Sequence, residues 1–166
     1  FWDSIRETMI LHTWRHRRGV GWEIDGELPA APDGEHLVFA LGAPEYIDDP
    51  SALEALREAY PEAHLLGCST SGEILGDELT DASLSVALVC FERTGVRSAA
   101  VDIEGPEGSR AAGRALGAEL AGPDLRAVHV LSDGLHVNGS ELVRGLDDEL
   151  GDQIVITGGL AGDGDA

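Results

Sequence analysis

The chain contains no lysine, so all 11 of its basic residues are arginines, set against 31 aspartates and glutamates. The formal net charge is −20. A surface this acidic repels nucleic-acid phosphates and anionic membranes, which argues against both as partners. This composition, with many acidic residues and no lysine, fits either the solvated surface of a halophilic protein or the arginine bias of a GC-rich genome. Neither origin bears on the chemistry of the protein.

Other missing features narrow the class of protein further. No apolar run reaches the roughly 18 residues that a membrane helix needs. The N-terminal segment also lacks a signal-peptide pattern, so we expect a cytoplasmic protein. Two cysteines, Cys68 and Cys90, are too few for a disulfide scaffold, and both end apolar runs. We therefore expect buried free thiols.

The familiar signatures of catalysis and metal binding are also missing. Ser69 stands in a glycine-flanked turn, but Ser71 occupies the position where a nucleophile elbow needs glycine. There is no P-loop, and no G-x-G-x-x-G follows a strand. Among the histidines only His12 and His16 have ligand-like spacing, and they lack the glutamate of a zinc-protease helix. We expect neither an enzyme nor a metal site, and no cofactor is required.

Hydrophobic patterning predicts the order β-α-β-β-β-α-β-α-β after an N-terminal helix over residues 1–18. The short segment 92–95 between two apolar runs, at 83–91 and 96–103, predicts a β-hairpin. Alternating strands and helices predict an α/β fold whose mixed sheet carries helices on its faces and a central β-hairpin. We divide the chain into an N-terminal helix, residues 1–19, and a main domain, residues 20–166. The domain is expected to be truncated at its C-terminal end, because the chain stops in a glycine-rich loop.

Three glycine-rich loops, at residues 67–73, 132–139 and 157–164, follow the carboxyl ends of apolar strands, where open α/β sheets bind ligands. Backbone N–H groups beside short polar side chains suit an amino acid or a small carboxylate. Tight strand-to-helix turns also require glycine whatever the protein does. Glu73 or Asp133 could pair with a ligand ammonium while N–H groups bind its carboxylate. The candidate ligand contacts are Ser69, Thr70, Ser71, Glu73, Asp133, Asn138, Gly159 and Asp163.

Two of these segments, G-C-S-T-S-G-E at 67–73 and G-G-L-A-G-D at 158–163, occur together at a characteristic separation. Over roughly residues 20–164 the chain resembles the N-terminal FIST domain, with residues 1–19 outside the resemblance. The resemblance implies a sensory input domain of a signal transduction protein that binds a small ligand such as an amino acid. Its implied partners are a C-terminal FIST domain and a signalling output protein.

Two alternative functions stay open at this point. Some FIST relatives bind haem and respond to nitric oxide, so the chain could be a haem-based gas sensor with a histidine as axial ligand. His136 is the most accessible candidate because it lies in a loop, although nothing in the spacing selects it. The other alternative is an adaptor that works through protein contacts without a small ligand.

Overall fold

The computed structural model describes residues 9–162. These residues form two compact units. The first unit comprises the described residues up to Val96 together with Gly162, and the second unit comprises Arg97–Ala161. The second unit is therefore inserted in the sequence between two segments of the first.

A mixed β-sheet is the centre of the first unit. The strands of this unit are β1 (Met9–Arg17), β2 (Gly21–Glu23), β3 (Glu35–Gly42), β4 (His64–Ser69), β5 (Glu73–Leu75), β6 (Glu78–Thr80) and β7 (Ser83–Phe91). Five of them form the sheet in the order β2-β1-β7-β3-β4, while β5 and β6 pair separately as a hairpin. Only β3 and β4 are parallel within the five-stranded sheet. The α/β class with a mixed sheet is confirmed.

The helix α1 (Ser51–Ala59) connects β3 to β4, because parallel neighbours cannot be joined by a tight turn. A 3₁₀ turn, Pro44–Tyr46, precedes it. Ala52 and Leu56 lie one turn apart on α1 and are buried against one face of the sheet. Successive side chains of a strand alternate between faces, so every second residue of β7 joins this core. The large side chains of the cluster that are almost completely inaccessible are Trp14, Val38, Leu56, Leu84, Val86 and Leu88.

Two helices and a two-stranded parallel sheet form the second unit. Its elements are α2 (Ser109–Leu120), β8 (Ala127–Ser132), α3 (Gly139–Leu150) and β9 (Val155–Leu160). The pairing of β8 with β9 is parallel, and α3 supplies the connection between them. The buried cluster consists of Ala112, Leu116, Leu142 and Leu146, with Val130 and Ile156 packed against it. No helix within residues 9–162 is long and apolar enough to span a membrane.

Glycines allow α2 and α3 to approach each other closely. A Cβ built on Gly113 would lie 3.0 Å from the Cα of Gly145 and would overlap the carbonyl oxygen of Leu142. A Cβ on Gly145 would lie 2.9 Å from the backbone nitrogen of Arg114. Gly113 and Gly145 therefore leave no room for a side chain where the two helices meet.

The predicted N-terminal helix is wrong over Met9–Arg17, where the chain forms β1; residues 1–8 lie outside the described residues. The segment pairs with β7 along its whole length. Trp14 then points into the core, as period-two alternation requires, and Arg15 beside it should face solvent. Arg15 is instead 2% exposed. The sequence does not show the alternation of a strand, because His12 and His16 share the face of Trp14 while Met9 and Leu11 share that of Arg15.

The predicted hairpin around residues 92–95 is also wrong. The strand before it exists as β7, but no strand forms over residues 96–103, and Arg97 begins the second unit. Ala99 and Ile103 pack against the helix cluster of that unit, so their hydrophobic character reflects packing and not a place in a sheet. The hairpin that does form is β5–β6, whose strands have only three residues each.

Candidate functional site

The first predicted loop leaves β4 and leads into the β5–β6 hairpin. Ser69 ends β4, and the N–H group of Thr70 donates to the carbonyl oxygen of Gly42 at 2.9 Å. The N–H group of Gly162 donates to the carbonyl oxygen of Ser69 at 3.0 Å. Backbone bonds therefore hold this loop at the carboxyl ends of β3 and β4, the edge where α/β sheets bind ligands. Ser71 is exposed there.

Glu73 is a buried carboxylate whose two oxygens both accept hydrogen bonds. Oε1 accepts a bond of 2.7 Å from the Thr70 hydroxyl. Oε2 accepts bonds of 3.0 Å from the N–H group and from the hydroxyl of Ser83. A buried charge is tolerated only when it is paired or hydrogen-bonded in this way. These bonds tie the hairpin to β7, so a ligand ammonium at Glu73 would have to compete with three donors.

Asp133 organises the second predicted loop. Its Oδ1 accepts bonds from the N–H groups of Leu135, at 2.6 Å, and His136, at 2.7 Å. Oδ2 lies 3.2 Å from Nδ1 of His136. The backbone bonds from His136 and Leu135 hold the pKa of Asp133 below its usual range. The Asp133 side chain is also 53% exposed, so an ionised carboxylate is accessible to a ligand ammonium.

Asn138 caps α3. Its Oδ1 accepts a bond of 3.2 Å from the N–H group of Glu141, and its own N–H group donates to the buried Ser109 hydroxyl at 2.9 Å. The cap satisfies one of the first-turn N–H groups that have no partner within the helix. The start of α3 still carries the positive end of the helix dipole, which favours a carboxylate nearby.

The third predicted loop begins later than expected, because β9 continues through Leu160. Gly159 therefore lies in a strand, where it is exposed. Its neighbour Gly158 has a φ of 149°, and a side chain there would collide with the carbonyl of Val130. Asp163 lies outside the described residues.

A cavity of about 480 Å³ lies in the second unit, between α3 and the β8–β9 pair. Apolar walls come from both α3 and β9, and two hydroxyls and three glycines supply polar atoms. The lining residues are Val130, Ser132, Gly139, Leu142, Val143, Ile156, Thr157, Gly158, Gly159 and Leu160. Its volume lies within the roughly 300–1,000 Å³ of small-molecule pockets, and apolar walls with a few polar groups are typical of such pockets.

A second cavity, of about 360 Å³, lies in the first unit at the carboxyl ends of β3 and β4. Ser69, Cys68 and Tyr46 line it, and the exposed Arg57 contributes a positive charge. Burial raises the pKa of the Cys68 thiol, so this thiol stays protonated at neutral pH. A protonated thiol is a poor nucleophile, and the cavity offers polar and cationic binding groups instead.

The predicted site residues divide between the two units. Those in the first unit are Ser69, Thr70, Ser71 and Glu73, and those in the second are Asp133, Asn138 and Gly159. Ser69 and Gly159 each line a cavity, and Asn138 caps the helix that walls the larger one. The sequence did not single out the lining hydroxyls of Ser132 and Thr157. Both residues stand at the end of a predicted apolar run, and that position is the feature of the sequence from which they could have been found.

His136 is the residue that the haem alternative names as axial ligand. A haem site needs a pocket that covers the macrocycle and places an axial side chain at the iron. The His136 side chain is 68% exposed and its Nδ1 faces Asp133. Neither of the two cavities has a histidine in its lining. Within residues 9–162, moreover, no group of three or more His, Cys, Asp or Glu side chains is placed to hold a metal ion.

Comparison with known proteins identifies the family. The family model described as the FIST N domain matches residues 36–166. No curated protein and no solved structure matches the chain. The matched stretch contains both cavities and every candidate ligand contact, and it confirms the resemblance inferred from the two glycine-rich segments. FIST domains are generally associated with sensory and signal-transduction proteins. Since the match covers about four fifths of its length, the chain belongs to the FIST N domain family.

Proposed function

We propose that this chain is the small-ligand-binding sensory domain of a signal transduction protein, and that its ligand is an amino acid or another small carboxylate. The observation that supports this proposal is the cavity of about 480 Å³ beside the start of α3. It joins apolar walls to hydroxyl groups and to the positive end of a helix dipole. We propose no enzymatic activity and no required cofactor.

The cavity suggests a division of roles among its residues. The ligand carboxylate binds near the start of α3, and Ser132 and Thr157 donate or accept hydrogen bonds. Leu142 and Val143 contact the apolar part of the ligand. Asp133, which is ionised and exposed, is the proposed partner for an ammonium group.

The loop of the first unit is proposed as a further set of contacts. Ser69, Thr70 and Ser71 present hydroxyl groups at the carboxyl end of β4, and Ser69 lines the smaller cavity. Glu73 is proposed to hold this loop in place through its bonds to Thr70 and Ser83. Asp163 is retained as a proposed contact on the sequence alone.

The proposed partners are a C-terminal FIST domain and a signalling output protein, in the cytoplasm. The net charge of −20 argues against nucleic acids and anionic membrane surfaces, because both would be repelled. The signal would reach the output protein as a change in the stability or shape of the ligand-bound domain.

A thermal-shift screen of the whole protein tests the proposal. The probes are the standard amino acids, small carboxylates, nucleotides and haemin, each at low and high salt. A ligand at 100 times its Kd adds about 2.7 kcal/mol to the free energy of unfolding. That gain should raise the Tm by about 5–11 °C in a protein of this size. An amino acid or carboxylate that does so supports the proposal.

Two tryptophan substitutions on α3 locate the binding site. Val143→Trp places a large ring at the lining of the cavity and should abolish the thermal shift. Asp147→Trp is the matched control, because Asp147 is exposed on the same helix and does not line the cavity. If the two variants respond equally to the ligand, the ligand binds elsewhere.

The same screen separates the alternatives. A shift with haemin alone, together with Soret absorbance, would support the gas sensor and would contradict the amino-acid proposal. A protein that melts cooperatively and responds to no probe would favour the adaptor.

A further inference from the structure

Two of the three guanidinium nitrogens of the buried Arg15 have no hydrogen-bond partner among the described residues. Arg15 is 2% exposed, and its Nη1 donates to Oε2 of Glu78 at 2.9 Å and lies 3.7 Å from Oε2 of Glu23. Its Nε and Nη2 are closed to solvent and have no partner among the described residues. Buried charged donors are rarely left unpaired, because the lost hydration is not replaced. A group that accepts from these two nitrogens is therefore to be expected.

The two unpaired nitrogens are on the side of the guanidinium that suits a carboxylate. Nε–H and one Nη2–H are parallel, so they can bind the two oxygens of a carboxylate together. The protein shows the same arrangement on its surface, where Nε and Nη2 of Arg110 donate to the two carboxylate oxygens of Asp148 at 2.9 and 3.1 Å. At Arg15 the same two donors have no partner among the described residues.

A third unpaired group lies beside Arg15. Ser85 is the residue directly opposite Arg15 in the antiparallel β1–β7 pair, so their side chains project from the same face of the sheet. The Ser85 hydroxyl is also buried without a partner among the described residues. Two neighbouring residues thus leave three hydrogen-bonding groups unused in one place.

The charges around Arg15 indicate which kind of anion fits. Glu78 and Glu23 both approach Nη1, and Arg17 pairs with Glu23 at 2.9 Å, so two arginines balance two glutamates and the cluster is neutral. A phosphate or sulfate dianion would leave the cluster with an excess of negative charge. A monocarboxylate with an ammonium group beside it would not, because the ammonium can face the two glutamates while the carboxylate binds Nε and Nη2.

We propose that Arg15 and Ser85 form a binding site for the carboxylate of a small zwitterion, of the amino-acid class. This site goes beyond the proposed function, because it lies in the first unit and in a strand that precedes the family match at residues 36–166. The proposed function uses the cavity of the second unit and does not depend on this site.

A ligand can reach this site only if the β5–β6 hairpin, which covers Arg15, moves. Glu78 on β6 bonds to Arg15, and β5 packs against both β1 and β7. The β5–β6 hairpin has two strands of three residues, and such a hairpin has little stability of its own. Its base is fixed by the bonds of Glu73 to Ser83, whereas Glu78 lies next to the turn. The turn end can therefore swing away and release Arg15.

The direct test is an NMR titration of the arginine side chains in the whole protein. The chain has 11 arginines and no lysine, and the Nε–H signal of Arg15 is assigned as the one that Arg15→Lys removes. The probes are the twenty standard amino acids, acetate and methylammonium. We expect at least one amino acid to shift the Arg15 Nε–H signal in a saturable way, acetate to bind at least tenfold more weakly, and methylammonium to leave the signal unchanged.

Substitutions give a second, independent measurement. Arg15→Lys keeps the charge and removes the paired donors, so the Kd of that amino acid should rise at least tenfold. Arg110→Lys is the matched control, since the same donors are already bound to Asp148, and it should leave the Kd unchanged. Ser85→Ala should raise the Kd a few-fold. It replaces Arg15→Lys as the test variant if that protein does not fold.

The outcomes distinguish this site from the proposed function. If an amino acid binds by thermal shift while the Arg15 Nε–H signal stays fixed at saturation, the Arg15 site is refuted and the proposed function stands. If neither the melting temperature nor the Arg15 signal responds to any amino acid or to acetate, both proposals fail.

Discussion

Replacing Gly113 with alanine should destabilise the protein, although alanine is the better helix former. Within a helix the exchange alone gains about 1 kcal/mol. The new Cβ, however, would lie 3.0 Å from the Cα of Gly145 and from the backbone nitrogen of Leu146, and would overlap the carbonyl oxygen of Leu142. These are backbone atoms, which cannot avoid the contact by a change of rotamer, so α2 and α3 must separate.

The expected cost follows from that separation. Forcing a methyl group into a packed contact costs about 1–3 kcal/mol, and the upper end applies where only backbone can yield. After subtraction of the propensity gain we expect a net loss of about 2 kcal/mol in the free energy of unfolding. The Tm should fall by about 4–8 °C. Gly145→Ala requires the same separation, so the double variant should lose less than the sum of the two single losses.

Urea denaturation followed by far-UV circular dichroism measures all three variants. Gly139→Ala is the control, because its Cβ would meet its nearest neighbour, a methyl group of Leu160, at an ordinary 3.6 Å. It should be as stable as the wild type or more stable by up to about 1 kcal/mol. A Gly113→Ala protein as stable as the wild type, or losses that add in the double variant, would refute the close contact between α2 and α3.

Three further predictions concern buried and paired charges. Glu73→Ala should lower the free energy of unfolding by about 3 kcal/mol, because the N–H and hydroxyl donors of Ser83 lose their acceptor. Glu73→Gln should lower it by only about 1 kcal/mol, because its amide oxygen can still accept from Ser83. Urea denaturation compares the two variants. Hydrogen bonds from two arginines of α2 hold the pKa of Asp148 at about 2, so the stability it contributes is present above its unfolded pKa and is lost as pH falls toward 2. Acid titration of Asp148→Asn should therefore show a smaller loss than the wild type below about pH 4. Burial lowers the pKa of His16 below 6.5, so the folded protein favours the neutral ring. The stability of the protein should therefore fall as pH drops below 6.5. NMR titration of His16 and the Tm of His16→Gln check this.

Each of these has an outcome that contradicts it. Equal losses for the two Glu73 variants would mean that the buried hydrogen bonds are not formed. Identical acid profiles for the wild type and Asp148→Asn would mean that the ion pairs of Asp148 do not contribute to stability. A His16 pKa at or above 6.5 would show that its ring is solvated.

The second unit is the part of the fold that the sequence predicts best. The predicted order ends in helix, strand, helix, strand, and the unit has α2, β8, α3 and β9 in that order, with α3 beginning directly after its cap, Asn138. These signals are local, since a cap or a glycine acts within one turn of itself. The missed strand β1 depends on a distant contact instead. It forms by pairing with β7, and no window around β1 contains that information.

The site was predicted at the level of loops and not of lining residues. Glycine-rich segments at strand ends mark where a chain can bind a ligand, and two of the three contribute a predicted contact to a cavity, Ser69 in one and Gly159 in the other. Whether a polar residue is free or already bonded depends on its neighbours in space. Glu73 illustrates this, because its carboxylate is bound by Ser83, a residue on a different strand.

The central place of β7 has a consequence for synthesis on the ribosome. Roughly 65 residues separate the end of β1 from the start of β7, its partner in the sheet. At about 5–20 residues per second, β1 waits about 3–13 s for that partner to be made. During this interval Trp14, which is buried in the folded protein, is uncovered, and the edge of β1 that pairs with β7 is unpaired, a state prone to association with other nascent chains. The acidic residues made in the meantime give the unfinished chain a negative charge, and mutual repulsion between such chains would keep them apart until β7 arrives.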